Sequence, residues 1–428
     1  MVSDGPLREY RPRIVDREID ELAPPALALE GAKAVGKSAT AAQRARTTFE
    51  LDRSEVAEIA RAQPDRVIDA GRPVLIDEWQ RVPELWDRVR RAVDAGAGPL
   101  SYFLTGSVLE AVTGVHSGAG RIIRVRMRPL SLAERGIETP AVSLRALLSG
   151  SRPSINGGTR LVLEDYVDEI VRSGFPAIRE AAPRLRRAHI DGYIDRVIDM
   201  DFLEAGHYVR NPAALRRWMN AYAAASSTTA SFDTLREAAT PGDADKPAKA
   251  TTQAYRDTLE RLWIVEPLPA WLPTTNHLRE LGAASKHHLV DPALAARLLG
   301  LDAGGLLEGL GPRSKASVSG AFLGALFESL VTLSVRVYAQ AAEASVSHLR
   351  THRGLQEVDL IVKRGDGRVL ALESKLASTV SDADVRHLVW LRERIGEQLL
   401  DAAVITTGTQ AYRRPDGIAV IPAALLGP

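Results

Sequence analysis

The sequence contains no cysteine. Disulfides, zinc–thiolate centres and cysteine nucleophiles are therefore all excluded. Net charge is nearly absent too: 55 lysines and arginines stand against 54 aspartates and glutamates, a formal +1 at pH 7. That balance neither demands nor excludes a nucleic-acid partner, and any binding face must be local. Long apolar runs are also missing. No uninterrupted stretch approaches the roughly 18–20 residues of a membrane span, and Met1-Val-Ser-Asp-Gly-Pro6 does not read as a signal peptide. The expectation is a cytoplasmic protein with no membrane partner. The rest of the composition is ordinary. There are 428 residues, 45% of them apolar and 25% charged, enough to build cores in about two to four domains.

Against that background one stretch stands out, Gly31-Ala-Lys-Ala-Val-Gly-Lys-Ser38. A short apolar strand, Ala26 to Glu30, precedes it, and a helix over Ala39 to Ala45 is expected after it. Strand, G-x-x-x-x-G-K-S and helix in that order form a phosphate-binding loop. Gly31 and Gly36 allow the tight backbone that turns N–H groups toward a phosphate. Lys37 would reach the β- and γ-phosphates of ATP, and the Ser38 hydroxyl would hold Mg²⁺. The candidate nucleotide-binding residues are Gly31, Ala34, Val35, Gly36, Lys37, Ser38 and Ala39.

About 40 residues on, Arg72-Pro-Val-Leu-Ile-Asp-Glu78 is a short strand ending in two carboxylates. Asp77 is placed for the Mg²⁺ shell, and Glu78 for activating a water as general base. Trp79 to Ala95 reads as an amphipathic core helix, with Val82, Leu85, Trp86, Val89 and Val93 at helical spacing. The next strand, Leu100 to Ser107, ends in hydroxyls. Thr105 or Ser107 is a candidate γ-phosphate sensor, with a helix cap at Ser107 as the plainer alternative. Gly118 to Ser131 alternates apolar residues and arginines. Arg121 is a candidate arginine finger or sensor, in cis or from a neighbouring subunit of a homo-oligomer, whereas Arg124, Arg126 and Arg128 read as a solvated strand face. Strands alternating with helices predict an α/β fold with a doubly wound parallel sheet over residues 1–150.

The order of these motifs carries a resemblance. Tyr10-Arg-Pro-Arg13, the phosphate loop, Leu75-Ile-Asp-Glu78, Leu104-Thr-Gly-Ser107, and the Gly120-Arg121 and Pro129-Leu-Ser-Leu-Ala-Glu134 segments resemble bacterial AAA-type ATPases. Those are fused to a C-terminal domain of unknown function, number 4143. Ser173-Gly-Phe-Pro176 and Tyr193 to Asp199 also match, with Ser173 where that family usually has glycine. The resemblance implies an ATPase fold, a helical or winged-helix middle and a nuclease-like end.

Residues 155–310 read mainly as helices. Ser231 to Ala239 and Thr251 to Leu262, followed by the extended Ile264-Val-Glu-Pro-Leu268, resemble a winged helix. Two readings stay open there: a helix in a DNA groove, using Lys249, Thr252, Gln253 and Arg256, or a structural module. His287 and His288, beside Lys286, lack a ligand set and read as structural.

Residues 315–428 are again informative. A helix over Gly320 to Val337 carries Glu328 on a small, apolar face. Glu357 to Lys363 and Arg368 to Leu376 read as a hairpin about the turn Arg364-Gly-Asp-Gly367. Folding it brings Asp359 near Glu373, and Glu373 shares a face with Lys375. Glu328, Asp359, Glu373 and Lys375 resemble the PD-(D/E)xK nuclease superfamily, although Val358 stands in place of the proline. The resemblance implies a catalytic set of these four, with Asp359 and Glu373 binding Mg²⁺ or Mn²⁺. The expected function is an ATPase coupled to a metal-dependent nuclease acting on nucleic acid, DNA more than RNA. The alternative is an ATP-controlled switch or scaffold whose nuclease-like domain binds without cutting.

Overall fold

In the computed structural model, residues 10–106, 118–240, 242, 246–273, 280, 282–308, 317–351 and 354–428 are described. The chain divides into two compact units, residues 1–128 with 261–263, and residues 129–260 with 264–428.

The first unit is built on β1 (Ala26–Glu30), β2 (Thr47–Glu50), β3 (Val74–Asp77), β4 (Tyr102–Thr105) and β5 (Ile122–Arg126). Every pairing is parallel, in the order β2-β3-β4-β1-β5. The three central strands read as unbroken apolar runs because the sheet is covered: Ala26 to Leu29, Val74 to Ile76 and Tyr102 to Leu104 are all buried. β5 is an edge strand, and it is less covered than the central strands, with Ile122 and Val125 buried and Ile123 and Arg124 exposed. The helices are α1 (Ile14–Leu22), α2 (Lys37–Ala42), α3 (Ser54–Ala62), α4 (Pro64–Ile68) and α5 (Glu84–Asp94). The helix expected from Trp79 is split. Trp79–Arg81 is a separate 3₁₀ turn, and α5 begins after Pro83, whose missing N–H suits a helix start and not a helix interior. Leu85, Trp86 and Val89 face the core as the periodicity predicts.

In the second unit a seven-stranded sheet runs β7-β12-β13-β11-β10-β9-β8. Its strands are β7 (Gly157–Gly158), β8 (Ser345–Arg350), β9 (Glu357–Lys363), β10 (Val369–Lys375), β11 (Leu399–Thr406), β12 (Gln410–Arg413) and β13 (Ala419–Pro422). β8, β9 and β10 are antiparallel in turn, and β10, β11 and β13 are parallel. A separate pair joins β6 (Val142–Ser143) to β14 (Leu426–Gly427).

The long helix Ser317–Ala341 packs on β8, β9 and β10. Its stretch Gly320–Ala341 is long and apolar enough to cross a membrane by length and composition alone. Two-thirds of it is buried inside the protein, where Leu323, Leu326, Phe327 and Leu330 are fully covered. Each such side chain contributes about 1.5–3 kcal/mol, so this is a core helix.

The helical part of the same unit is tied by buried polar groups. Glu169 accepts two hydrogen bonds from Arg179 (2.7 and 2.8 Å) and one from Arg135 (3.0 Å). Burial pushes the Glu169 carboxyl up, but the two guanidinium groups outweigh it and hold its pKa below the ordinary value. Asp291 accepts from the Ser173 hydroxyl and the Gly174 N–H, both at 2.7 Å, and also caps the helix Pro292–Leu298. Ser173 has φ 69°, a conformation that favours glycine, and this hydrogen bond compensates for the side chain.

The helices Phe232–Ala238 and Lys249–Arg261 occupy the stretch read as a winged helix. Thr252 is buried, Lys249 pairs with Asp233 (2.9 Å), and Arg256 pairs with Asp257 (2.9 Å) while lying over the Phe232 ring.

Candidate functional site

The phosphate loop leaves β1 at Gly31, where φ is 148° and an added Cβ would lie 2.1 Å from the Met127 carbonyl oxygen. Ala34 (φ 65°) and Gly36 (φ 102°) also take left-handed backbone. At Ala34 this costs roughly 1–2 kcal/mol, a strain that persists because the loop is held from several sides.

Arg13 is one of the braces. It donates to the carbonyls of Val35 (2.8 Å) and Arg128 (2.7 Å). Tyr10 donates to Asp16 (2.7 Å) and lies 3.0 Å from the Thr40 hydroxyl of α2. The Tyr-x-Pro-Arg motif therefore has a physical role that the sequence alone did not show.

Lys37 is buried, and its Nζ donates to the carbonyls of Gly31 (2.8 Å) and Ala32 (2.9 Å). Burial pulls its pKa down to about 8, against the raising effect of Glu78 and Asp77. Ala39 is exposed on α2. β4 lies between β1 and β3 and pairs Thr105 with Leu29 on one side and Asp77 on the other. Two hydroxyls consequently converge on one carboxylate oxygen: Ser38 donates to Asp77 Oδ1 at 2.7 Å, and Thr105 donates to the same atom.

Glu78 follows in a left-handed conformation (φ 55°), and the Gln80 amide donates to its Oε2. Burial, then the Asp77 charge, raise the Glu78 pKa. A carboxylate so placed accepts a proton more readily than a solvated one. Hydroxyl and carboxylate oxygens beside a phosphate loop fit Mg²⁺, which Ser38 and Asp77 would hold, and the ion would neutralise phosphate charge.

Arg121 is not brought to this loop within the chain. It precedes β5, whose first residue pairs with Ala26 at the far end of β1, and it donates to Asp94 at 2.8 Å in an exposed ion pair. Ser107 lies outside the described residues.

The second cluster lies on the β9–β10 hairpin. Leu360 pairs with Leu372, a register that sets Asp359 opposite Glu373. The Asp359 N–H donates to Glu373 Oε2 at 3.4 Å, and Lys375 Nζ donates to Glu373 Oε1 at 2.8 Å. Glu328, from the long helix, joins them through a residue read earlier only as a neighbour of two histidines. Lys286 Nζ lies 2.8 Å from Glu328 Oε1, 2.9 Å from Asp359 Oδ1 and 3.0 Å from Glu357 Oε1, with its side chain 1% exposed.

Those carboxylates hold the Lys286 pKa well above its ordinary value, outweighing burial. Burial and the neighbouring Asp359 charge push Glu328 up, and Glu373 up to about 8. Asp359 stays below its ordinary value, because Lys286, Lys375 and the Ser374 N–H (3.0 Å) outweigh its burial. The carboxylates thus already have proton donors and do not fit a divalent metal. Among the described residues no group of three or more histidine, aspartate or glutamate side chains is set to hold one. His287 and His288 are buried, bonded to the Ala230 carbonyl and the Ser329 hydroxyl.

Residues 23–135 match the AAA domain family, so the first unit carries an AAA-type ATPase domain. Residues 323–426 match a domain of unknown function (DUF4143), and residues 163–304 match another (DUF8612). The chain is similar to the uncharacterized proteins Rv2008c of Mycobacterium tuberculosis and Mb2031c of Mycobacterium bovis, 27% identical to each over 353 residues. Those matches span 82% of this chain and 68% of each relative. Among solved structures, the Walker-type ATPase PABY2304 of Pyrococcus abyssi aligns at 14% identity, with a TM-score of 0.35. That alignment covers 68% of this chain and 96% of the other.

Proposed function

We propose that the protein is a cytoplasmic AAA-type ATPase whose nucleotide cycle controls a nuclease-like domain that engages nucleic acid, DNA more than RNA. The observation that carries the ATP half is the convergence of Ser38 and Thr105 on Asp77 Oδ1, one residue before Glu78. In this reading Lys37 and the loop N–H groups hold the β- and γ-phosphates, and Ser38 and Asp77 hold Mg²⁺. Glu78 takes the proton of the attacking water, and Thr105 stands at the sensor position. Arg121, remote from its own loop, would act as a finger only from a neighbouring copy in a homo-oligomer.

The nucleic-acid half rests on Glu328, Asp359, Glu373 and Lys375 meeting at one place, in the pattern that resembles PD-(D/E)xK nucleases. Cutting and binding without cutting are the two outcomes for that site. Binding is favoured by one observation: Lys286 already occupies the carboxylates that a cleaving metal would need.

Titration with a fluorescent ATP analogue tests the ATP half. Lys37→Ala is expected to abolish binding, and equal affinity in the two chains would refute it. Anisotropy of a labelled DNA duplex, with and without ATP, tests the rest; a duplex that never binds removes the nucleic-acid half.

A further inference from the structure

We propose that Lys286 is the resident cation of the C-terminal carboxylate site, so that this site takes no divalent metal. The inference deepens the nuclease-like reading and rests on it for the identity of the site.

An ammonium has three N–H groups; Lys286 donates to Glu328 at 2.8 Å and to Asp359 at 2.9 Å, and it forms an ion pair with Glu357 at 3.0 Å. The remaining oxygens of Asp359, Glu373 and Glu357 are also engaged. Asp359 Oδ2 accepts from the Ser374 N–H, and Glu373 accepts from Lys375 and the Asp359 N–H. Glu357 also accepts from Arg350 at 2.6 Å. Mg²⁺ or Mn²⁺ asks for about six oxygen ligands, and here it would have to enter beside a buried positive charge bonded to the same oxygens. Two cations in one dry pocket repel strongly.

The lysine is also fixed from behind. Its N–H and carbonyl exchange hydrogen bonds with Leu268 (2.9 and 2.8 Å). His287 is tied to Ser227 and Thr228, and His288 to Glu266, all through backbone hydrogen bonds. Lys286 belongs to the stretch matching the 163–304 domain, while the carboxylates Glu328, Glu357, Asp359 and Glu373 belong to the 323–426 match. One region thus supplies the counter-charge for the other.

The test uses the full chain carrying Asp77→Asn, which removes the metal site of the phosphate loop, titrated calorimetrically with MnCl₂ and no nucleotide. The lysine-bearing chain is expected to give no Mn²⁺ binding that Asp359→Asn removes. Lys286→Met in the same background is expected to create one site, with an affinity gain of at least about tenfold, lost again on adding Asp359→Asn. Should Lys286→Met fail to fold, Lys286→Met with Glu328→Gln leaves fewer buried charges and tests the same gain. Mn²⁺ uptake by the lysine-bearing chain that depends on Asp359 would overturn the inference, whatever the variants do. DNA-duplex binding, measured on the same preparations, reports on the nuclease-like reading separately: its absence would remove that reading and leave the Mn²⁺ result standing.

Discussion

Replacing Glu78 by glutamine is expected to separate ATP binding from ATP hydrolysis. The substitution keeps the side chain's size and its ability to accept from the Gln80 amide, and removes only the proton acceptor. Glu78 is half-buried beside Asp77, and both burial and that neighbouring charge raise its pKa. It is therefore a stronger base than a solvated glutamate while still able to ionise. Losing a general base lowers the rate by about 10²–10⁴-fold, which is about 3–5 kcal/mol in the activation barrier. Affinity should hold within about threefold, because the proposed phosphate-binding groups, Lys37 and the loop N–H groups, are untouched. Phosphate release at saturating ATP gives kcat, and titration of the same preparation gives affinity. In the unmodified chain kcat should also fall as pH drops through the raised pKa of Glu78, and the variant should lose that limb. A kcat within tenfold of the unmodified chain, or an equal loss of affinity and turnover, would refute the assignment.

Glu169→Gln removes the carboxylate bridging Arg135 and Arg179 and leaves two buried guanidinium groups without it. A loss of about 3–5 kcal/mol is expected, read from the denaturation of the second unit by circular dichroism, and a change under 1 kcal/mol would contradict it. His348 is buried, and burial, with Lys286, pulls its pKa down from 6.5 to about 4. Between those values the unfolded chain binds a proton that the folded chain refuses, so His348 makes stability fall as pH drops from about 6.5 to 4. His348→Gln should therefore gain on the unmodified chain as pH falls through that window, by at most about 3 kcal/mol. Parallel stability curves from pH 7 to pH 4 would show the histidine to be protonated in the fold.

Some of this was legible from sequence because local chemistry dictates it. The turn Arg364-Gly-Asp-Gly367 fixes the hairpin, and the hairpin fixes Asp359 against Glu373, since side chains alternate along each strand. The phosphate loop and Asp77 are likewise local patterns. Lys286 was not legible. It lies 42 residues before Glu328 and 73 before Asp359, and no periodicity links them. The one available signal was a lysine beside the strand-like, partly apolar Leu289-Val290, in a chain whose C-terminal carboxylates needed a partner. Arg121 is legible only in part: its Gly-Arg context points to a nucleotide, and the parallel pairing of its neighbour Ile122 with Ala26 holds it at the end of the sheet away from its own loop. Arg13 and Gln80 act through a backbone carbonyl and a side-chain amide contact, which leave no pattern in sequence.

The pairing of β6 with β14 bears on how the protein is made. Ser143 donates to the Pro428 carbonyl across 285 positions of chain, and the Ala424 N–H reaches the Tyr166 hydroxyl across 258. The strands of the ATPase sheet, by contrast, all lie between Ala26 and Arg126. During synthesis the nucleotide-binding sheet can close while most of the chain is still to come, whereas the second unit must hold Val142 unpaired until Leu426 emerges. Contacts of such long range form slowly and leave apolar surface open in the interval. A newborn chain would therefore spend its most aggregation-prone period with a finished ATPase sheet joined to an unfinished partner.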